Sequence, residues 1–178
     1  MEIVFPSRNE NEFIEMAIRL GYKEICFAYE ETKLPASLPK VSKLVIKIAI
    51  LNPKNPLKSK RKADFLISDE NARASFETKE IDIVFGLEAK AKNDFNRQRN
   101  SGLNQVLCEI ARKKEKTYGF NFRDILVAKD RPAIIGRMMQ NIELCRKYKF
   151  NTVIFSGAKE PIEMRNSSDI KNFFNILN

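Results

Sequence analysis

The residues with the most chemistry per position lie in one stretch, Asp94-Phe95-Asn96-Arg97-Gln98-Arg99-Asn100-Ser101-Gly102-Leu103-Asn104-Gln105-Val106-Leu107. Arg97 and Arg99 stand just before a predicted helix, and the free backbone N–H groups of a helix start favour anions as guanidinium groups do. The spacing suits a phosphate. The same residues also read as a solvated loop ahead of an ordinary helix. A second chemistry is open to the carboxylates Asp64, Asp82, Glu88 and Asp94, which could hold magnesium for phosphodiester hydrolysis. Histidine is absent from the chain, which removes imidazole base catalysis and the commonest zinc ligand. Cys26, Cys108 and Cys145 are far apart in sequence and form no Cys-x-x-Cys pair, so they read as reduced, buried thiols. No metal site is expected on the protein itself.

Charge narrows the partner. The 178 residues carry 32 Lys and Arg against 23 Asp and Glu, a net charge of +9. Residues 1–32 hold three basic and seven acidic side chains, so the rest of the chain carries 29 against 16, a net +13. Localised positive charge of this size favours an anionic partner such as nucleic acid. The longest nearly apolar run, Leu44–Leu51, contains Lys47 and is far short of the roughly 20 residues of a membrane helix. The N-terminus lacks the basic and apolar regions of a secretory signal. A cytoplasmic protein with no membrane partner is expected.

These side chains need a frame, and hydrophobic periodicity supplies one. Ile3–Phe5 reads as a strand, Asn9 onward as a helix with Phe13, Ile14, Ala17, Ile18 and Leu20 on one face, and Glu24–Tyr29 as a second strand. Leu44–Leu51 reads as a strand covered on both faces. Asn52–Lys62 holds two prolines and Lys54, Lys58, Lys60, Arg61 and Lys62 with no acid, a cationic loop. The alternation continues with strands at Asp64–Ser68, Ile81–Phe85, Thr117–Phe122 and Val153–Phe155. Helices are predicted at Asp69–Thr78, at Gly102–Glu115 capped by Ser101, from Pro132 to Tyr148, and at Ser168–Leu177. About seven strands alternating with helices predict an α/β protein with a mainly parallel sheet. An open doubly wound sheet and a (β/α) barrel both fit that alternation, although 178 residues is short for eight strands.

A family resemblance then enters on specific residues. Arg99-Asn100-Ser101-Gly102-Leu103-Asn104-Gln105-Val106-Leu107, followed by Ala111-Arg112-Lys113-Lys114, resembles a block of the thirty-kilodalton-type protein subunit of archaeal and eukaryotic ribonuclease P, the ribonuclease P protein component 3 family. Gly119–Leu126, Gly136–Ile142, Cys145–Tyr148, Thr152–Ala158, Met164-Arg165 and Ser168–Ile170 are similar to later blocks of that family, in order. The resemblance is strong from Asp94 onward and only an outline before it. It implies a distorted TIM-barrel-like (β/α) barrel formed as one domain over residues 1–178, without catalysis of its own. It also implies a ribonucleoprotein role in tRNA processing. The RNA subunit removes the 5′ leader of precursor tRNA, and this chain supports that RNA beside a small RRM-like subunit. Magnesium is expected for the RNA-based holoenzyme and precursor tRNA is contacted only indirectly.

The RNA-contact candidates are Arg97, Arg99, Lys113, Lys114, Arg137 and Arg165, with Lys58, Lys60, Arg61 and Lys62 of the cationic loop. Catalytic residues are expected to be none. Asn104, Gln105, Asn141 and Asp124 read as local hydrogen-bonding residues. Ser156-Gly157 reads as a tight turn, with phosphate holding as the lesser alternative. Phe95, Phe120 and Phe122 are expected at core positions, which leaves no stacking platform for single strands. The alternative function is a stand-alone metal-dependent phosphoesterase working through the four carboxylates above.

Overall fold

The computed structural model describes residues 1–39 and 41–177. Seven strands, β1 (Glu2–Val4), β2 (Glu24–Glu30), β3 (Val45–Leu51), β4 (Phe65–Ser68), β5 (Ile83–Phe85), β6 (Thr117–Asn121) and β7 (Asn151–Phe155), pair in parallel and in chain order. Between and after them lie α1 (Glu10–Arg19), α2 (Pro56–Ser59), α3 (Ala72–Glu77), α4 (Gln105–Lys113), α5 (Phe122–Val127), α6 (Arg131–Tyr148) and α7 (Ser167–Ile176). Sequential parallel strands twist steadily in one direction, so the first and last are brought towards each other. They meet without a full ladder. The Phe5 N–H donates to the Ala158 carbonyl at 2.8 Å and the Gly157 N–H to the Ile3 carbonyl at 3.2 Å. This is the distorted, nearly closed TIM-barrel-like fold that the resemblance implies.

Residue size explains how so small a barrel fills. Ile3, Cys26, Ala28, Ala49, Ile67, Ile83, Phe85 and Phe155 form the inner cluster. Gly119 on β6 has no side chain because a Cβ there would sit 2.9 Å from both Phe155 and Phe85. Those two rings pack edge to face with centroids 5.5 Å apart. Two phenylalanines therefore occupy the space that small residues on neighbouring strands vacate. The outer faces pack under helices, in one cluster around Tyr118, Phe120, Met138 and Phe174 and another around Phe13, Phe27 and Tyr29.

Several element boundaries differ from expectation for identifiable reasons. Helix α4 starts at Gln105, not Gly102, because Gly102 is left-handed (φ +83°) and packs its backbone against Leu87. The cap is Asn104, whose side chain accepts the Leu107 N–H at 3.0 Å, and not Ser101. Phe122, expected as the end of a strand, instead begins α5, which is capped by Asn121 through the Arg123 N–H. The cationic loop contains the single turn α2, capped by Asn55 with Pro56 at its start. Strand β3 is not covered on both faces along its length, since Val45 is 56% exposed. The β3–β4 connection carries only α2, too short to shield that end. Ile18, predicted on the buried face of its helix, is exposed. No helix among the described residues is long and apolar enough to cross a membrane.

Candidate nucleic-acid interface

The long connection from β5 to α4 is held from behind by α6. Arg137 and Asn141 lie one turn apart on one face of that helix; Arg137 holds the first half of the connection and Asn141 ties Glu88 near its start to Ser101 near its end. The Arg137 Nη1 donates to the carbonyls of Glu88 (3.1 Å) and Ala91 (2.7 Å), and its Nε to Asp94 Oδ1 (2.6 Å). Asn141 Nδ2 donates to Glu88 Oε1 and to the Ser101 carbonyl, both at 2.8 Å, and lies 3.3 Å from the Tyr118 hydroxyl. Glu88 is fully buried, and that burial pushes its carboxyl up to about 7 against the opposing hydrogen bond from Asn141. Asp94 also accepts the Asn100 N–H at 2.9 Å, and this bond, with Arg137, holds its carboxyl below the usual range. One buried arginine and one buried asparagine thus fix a connection that has no regular structure over most of its length.

The clamp presents two of the expected cations. Arg97 is exposed on the connection, and Arg99 is half-exposed, 3.4 Å from Asp94. Phe95, expected in the core, is exposed on the same connection, where it stands alone in a polar run from Lys92 to Ser101 and joins no core cluster. The Arg99 guanidinium lies against the backbone of α6 at Gly136, where a Cβ would overlap it. Guanidinium groups and the α4 start do not form the compact pair that the sequence suggests. The helix begins six residues after Arg99, and Asn104 already occupies its end.

The other candidates are distributed. Arg137 is a correction: it is 3% exposed, and its donors serve Asp94, Glu88 and Ala91, so it positions the connection and has no surface for RNA. Lys113 and Lys114 are exposed at the far end of α4, about 13 Å of helix from its start. Lys114 donates to the Glu77 carbonyl. Arg165 is exposed beside the α1–β2 connection, where its carbonyl accepts the Tyr22 hydroxyl proton and its guanidinium donates to Ile162 and Met164. Around α2, Lys60 pairs with Asp82 at 2.6 Å and Lys62 with Glu31 at 3.1 Å, whereas Lys58 and Arg61 have no ion-pair partner among the described residues.

The four carboxylates of the hydrolase alternative do not converge. Asp64 and Asp82 directly precede β4 and β5, at the N-terminal end of the barrel, and Glu88 and Asp94 follow β5 at the C-terminal end. Asp64 accepts the Ile48 N–H and Asp82 the Leu66 N–H. Among the described residues no three Cys, Asp or Glu side chains stand close enough to hold a metal ion.

The mouth of the barrel, where barrel enzymes place their chemistry, holds residues that sequence patterns do not single out as a group. Asp69, Lys90, Asn121, Arg123, Asp124 and Lys159 line a cavity of about 280 Å³. Its charges are largely spent on each other: Lys90 on Asp69 at 2.7 Å and Arg123 on Glu163 at 2.9 Å. Burial, with the nearby Asp69, pushes the Asp124 carboxyl up to about 6. The Ser156-Gly157 turn at this end holds a carboxylate of the chain itself. The Ser156 N–H and hydroxyl both donate to buried Glu2, whose carboxyl is pushed up to about 7 by burial. Gly157 is left-handed, and a Cβ on it would overlap the Asn121 side chain.

The fold and the clamped connection together define a TIM-barrel-like protein with a cationic edge. The chain belongs to the RNase P subunit p30 family, which matches residues 6–178. Ribonuclease P protein component 3 of Methanosarcina barkeri is 29% identical over 167 residues, covering 84% of this chain and 66% of that protein. The Methanosarcina mazei protein of the same name is 27% identical over 179 residues, covering 91% and 72%. The chain thus spans about two thirds of the length of these relatives. A chain in the cryo-EM structure of archaeal ribonuclease P with mature tRNA superposes with a TM-score of 0.77 at 18% identity, covering 99% of this chain and 82% of that one. Histidinol phosphate phosphatase from Lactococcus lactis, complexed with zinc, L-histidinol and phosphate, superposes with a TM-score of 0.58 at 15% identity, covering 99% and 91%. At these identities both structures speak to the barrel alone. Within it, the sequence blocks Arg99–Leu107 and Gly136–Ile142 are the two sides of one contact.

Proposed function

We propose that this chain is a noncatalytic subunit of ribonuclease P that binds the catalytic RNA and supports its removal of the 5′ leader from precursor tRNA. The observation that carries the reading is the cationic connection, which buried Arg137 and Asn141 hold and on which Arg97 is exposed and Arg99 half-exposed. A loop ordered before binding loses less conformational entropy on contact with phosphate. Family membership supports a place in ribonuclease P; in this reading the direct partners are its RNA and a small RRM-like protein subunit, with precursor tRNA reached through them. In this reading magnesium serves the RNA of the holoenzyme rather than this chain. Residues 1–178 act as one barrel domain, in the cytoplasm where the RNA resides. Lys58, Arg61, Lys113, Lys114 and Arg165 remain additional contacts in this reading, and Lys60 and Lys62 would have to exchange their carboxylate partners for phosphate.

Charge reversal at one site tests the reading against diffuse electrostatics. Arg99→Glu is expected to weaken binding to ribonuclease P RNA more than Lys43→Glu, an identical change at an exposed position before β3. Removing one phosphate interaction should also flatten the dependence of log affinity on log salt by about 0.7–0.9. Fluorescence anisotropy across a salt series reads both quantities once circular dichroism shows the two variants folded. Equal losses of affinity and equal slopes would refute a localised contact.

A further inference from the structure

We propose that Phe95 is a stacking platform for a single unpaired nucleobase, with Arg97 and Arg99 taking the phosphates on either side of it. This deepens the RNA-binding reading and rests on it: it assigns this edge of the barrel to single-stranded or bulged RNA in place of uniform duplex. Among the described residues Phe95 is the one exposed aromatic side chain, at 58%, whereas every other Phe and Tyr is at least partly buried. Packing does not account for it, because no core cluster includes it.

Its exposure is not that of a loose loop. The Phe95 N–H donates to the Gln98 carbonyl at 3.0 Å, closing a four-residue turn. On one side of the ring Asp94 is fastened by Arg137 and the Asn100 N–H, and on the other Arg99 lies on α6 at Gly136. The backbone that carries the ring is therefore fastened on both sides of it. An exposed aromatic on a fastened backbone, with two cations two and four positions on, is the combination that takes a base by its π-face and its phosphates by charge. The acid nearest to it, Asp94, is neutralised by Arg137, so the turn presents net positive charge. Asn93, Asn96, Arg97 and Gln98 around it are exposed and polar. A protein-docking site centred on this ring would need apolar neighbours that the turn does not supply.

The test uses the full chain and two probes: a short unstructured oligoribonucleotide carrying one 2-aminopurine, and a blunt RNA duplex of the same length. Phe95→Ala should bind the single strand about tenfold more weakly, abolish quenching of the 2-aminopurine, and leave duplex binding and thermal melting unchanged. Phe95→Tyr should retain wild-type behaviour, and Phe95→Leu should behave like the alanine variant. Wild-type affinity and quenching in Phe95→Ala would overturn the proposal. So would full recovery by leucine, which would show that apolar bulk and not aromatic stacking carries the effect. An Arg97→Gln/Arg99→Gln variant separates the two levels of the argument. If it loses affinity for both probes while Phe95→Ala is neutral, stacking fails and RNA engagement stands. If neither variant changes binding to either probe, both fail.

Discussion

Replacing Arg137 with leucine is expected to destabilise the protein by about 3–5 kcal/mol, because the substitution leaves Asp94 and two carbonyls without the donor that the fold provides them. The guanidinium is buried and serves Glu88, Ala91 and Asp94 together, so its removal withdraws three hydrogen bonds from a connection with little other support. For a domain of this size the fall in Tm is roughly 6–20 °C. Thermal unfolding followed by circular dichroism measures it. Arg137→Lys should recover only part of the stability, since one ammonium lacks the planar fork that reaches Asp94 and the carbonyls at once. Pairing Arg137→Leu with Asp94→Asn should be less damaging than the sum of the two single changes, because each removes the other's stranded partner. A Tm within about 2 °C of wild type, less than 1 kcal/mol on this scale, would show that the clamp does not hold the fold.

Gly157→Ala is the second large effect, and Gly21→Ala is its control. Both glycines are left-handed, at φ +64° and +76°, so an alanine at either should cost about 1–2 kcal/mol from backbone strain. Around Gly21 a Cβ meets nothing within 4 Å, whereas at Gly157 it would overlap Asn121. Asn121 caps α5 and donates to Asp124 at 2.8 Å, and the Gly157 N–H helps bring β7 to β1. Displacing Asn121 adds the loss of a cap, about 0.5–2 kcal/mol, and overpacking of about 1–3 kcal/mol. Urea unfolding should place Gly157→Ala at least about 1.5 kcal/mol below Gly21→Ala, the sum of those two lower bounds. Equal destabilisation would mean that β7 and Asn121 move aside freely, and that the closure of the barrel is soft.

The parts of this protein that can be read from its sequence are those carried by repeated local signals. Strands such as Ile25–Tyr29 and Leu66–Ser68 are buried on both faces, and their apolar runs mark them without any knowledge of partners. Strand order stays open because an open sheet and a barrel share one alternation, and closure depends on Glu2 and Ser156 meeting across 154 positions. Boundary errors come from residues whose conformation is set by tertiary contact. Gly102 looks like a permissive helix start until Leu87 lies against it. The site shows the same division. Arg97 and Arg99 are on the surface as their polar surroundings suggest, but an arginine buried by Glu88 and Asp94 is indistinguishable in sequence from one facing RNA, and Arg137 misleads for that reason. Phe95 misleads in the opposite sense. A signal is present, since it is the one large apolar side chain in the polar run from Lys92 to Ser101, where no periodic partner could bury it.

Reconstituted cleavage of precursor tRNA tests the central claim most directly. Ribonuclease P RNA, magnesium and the partner protein subunits are assembled with this chain, without it, or with an Arg97→Glu/Arg99→Glu variant shown to be folded, and leader release is followed. The chain alone is expected to release no leader, its addition to the RNA assembly to raise the rate, and the double variant to fail to do so. Leader release by the chain alone that survives repeated purification and disappears in Asp124→Asn would contradict that claim, as would an assembly whose rate is the same with and without the chain.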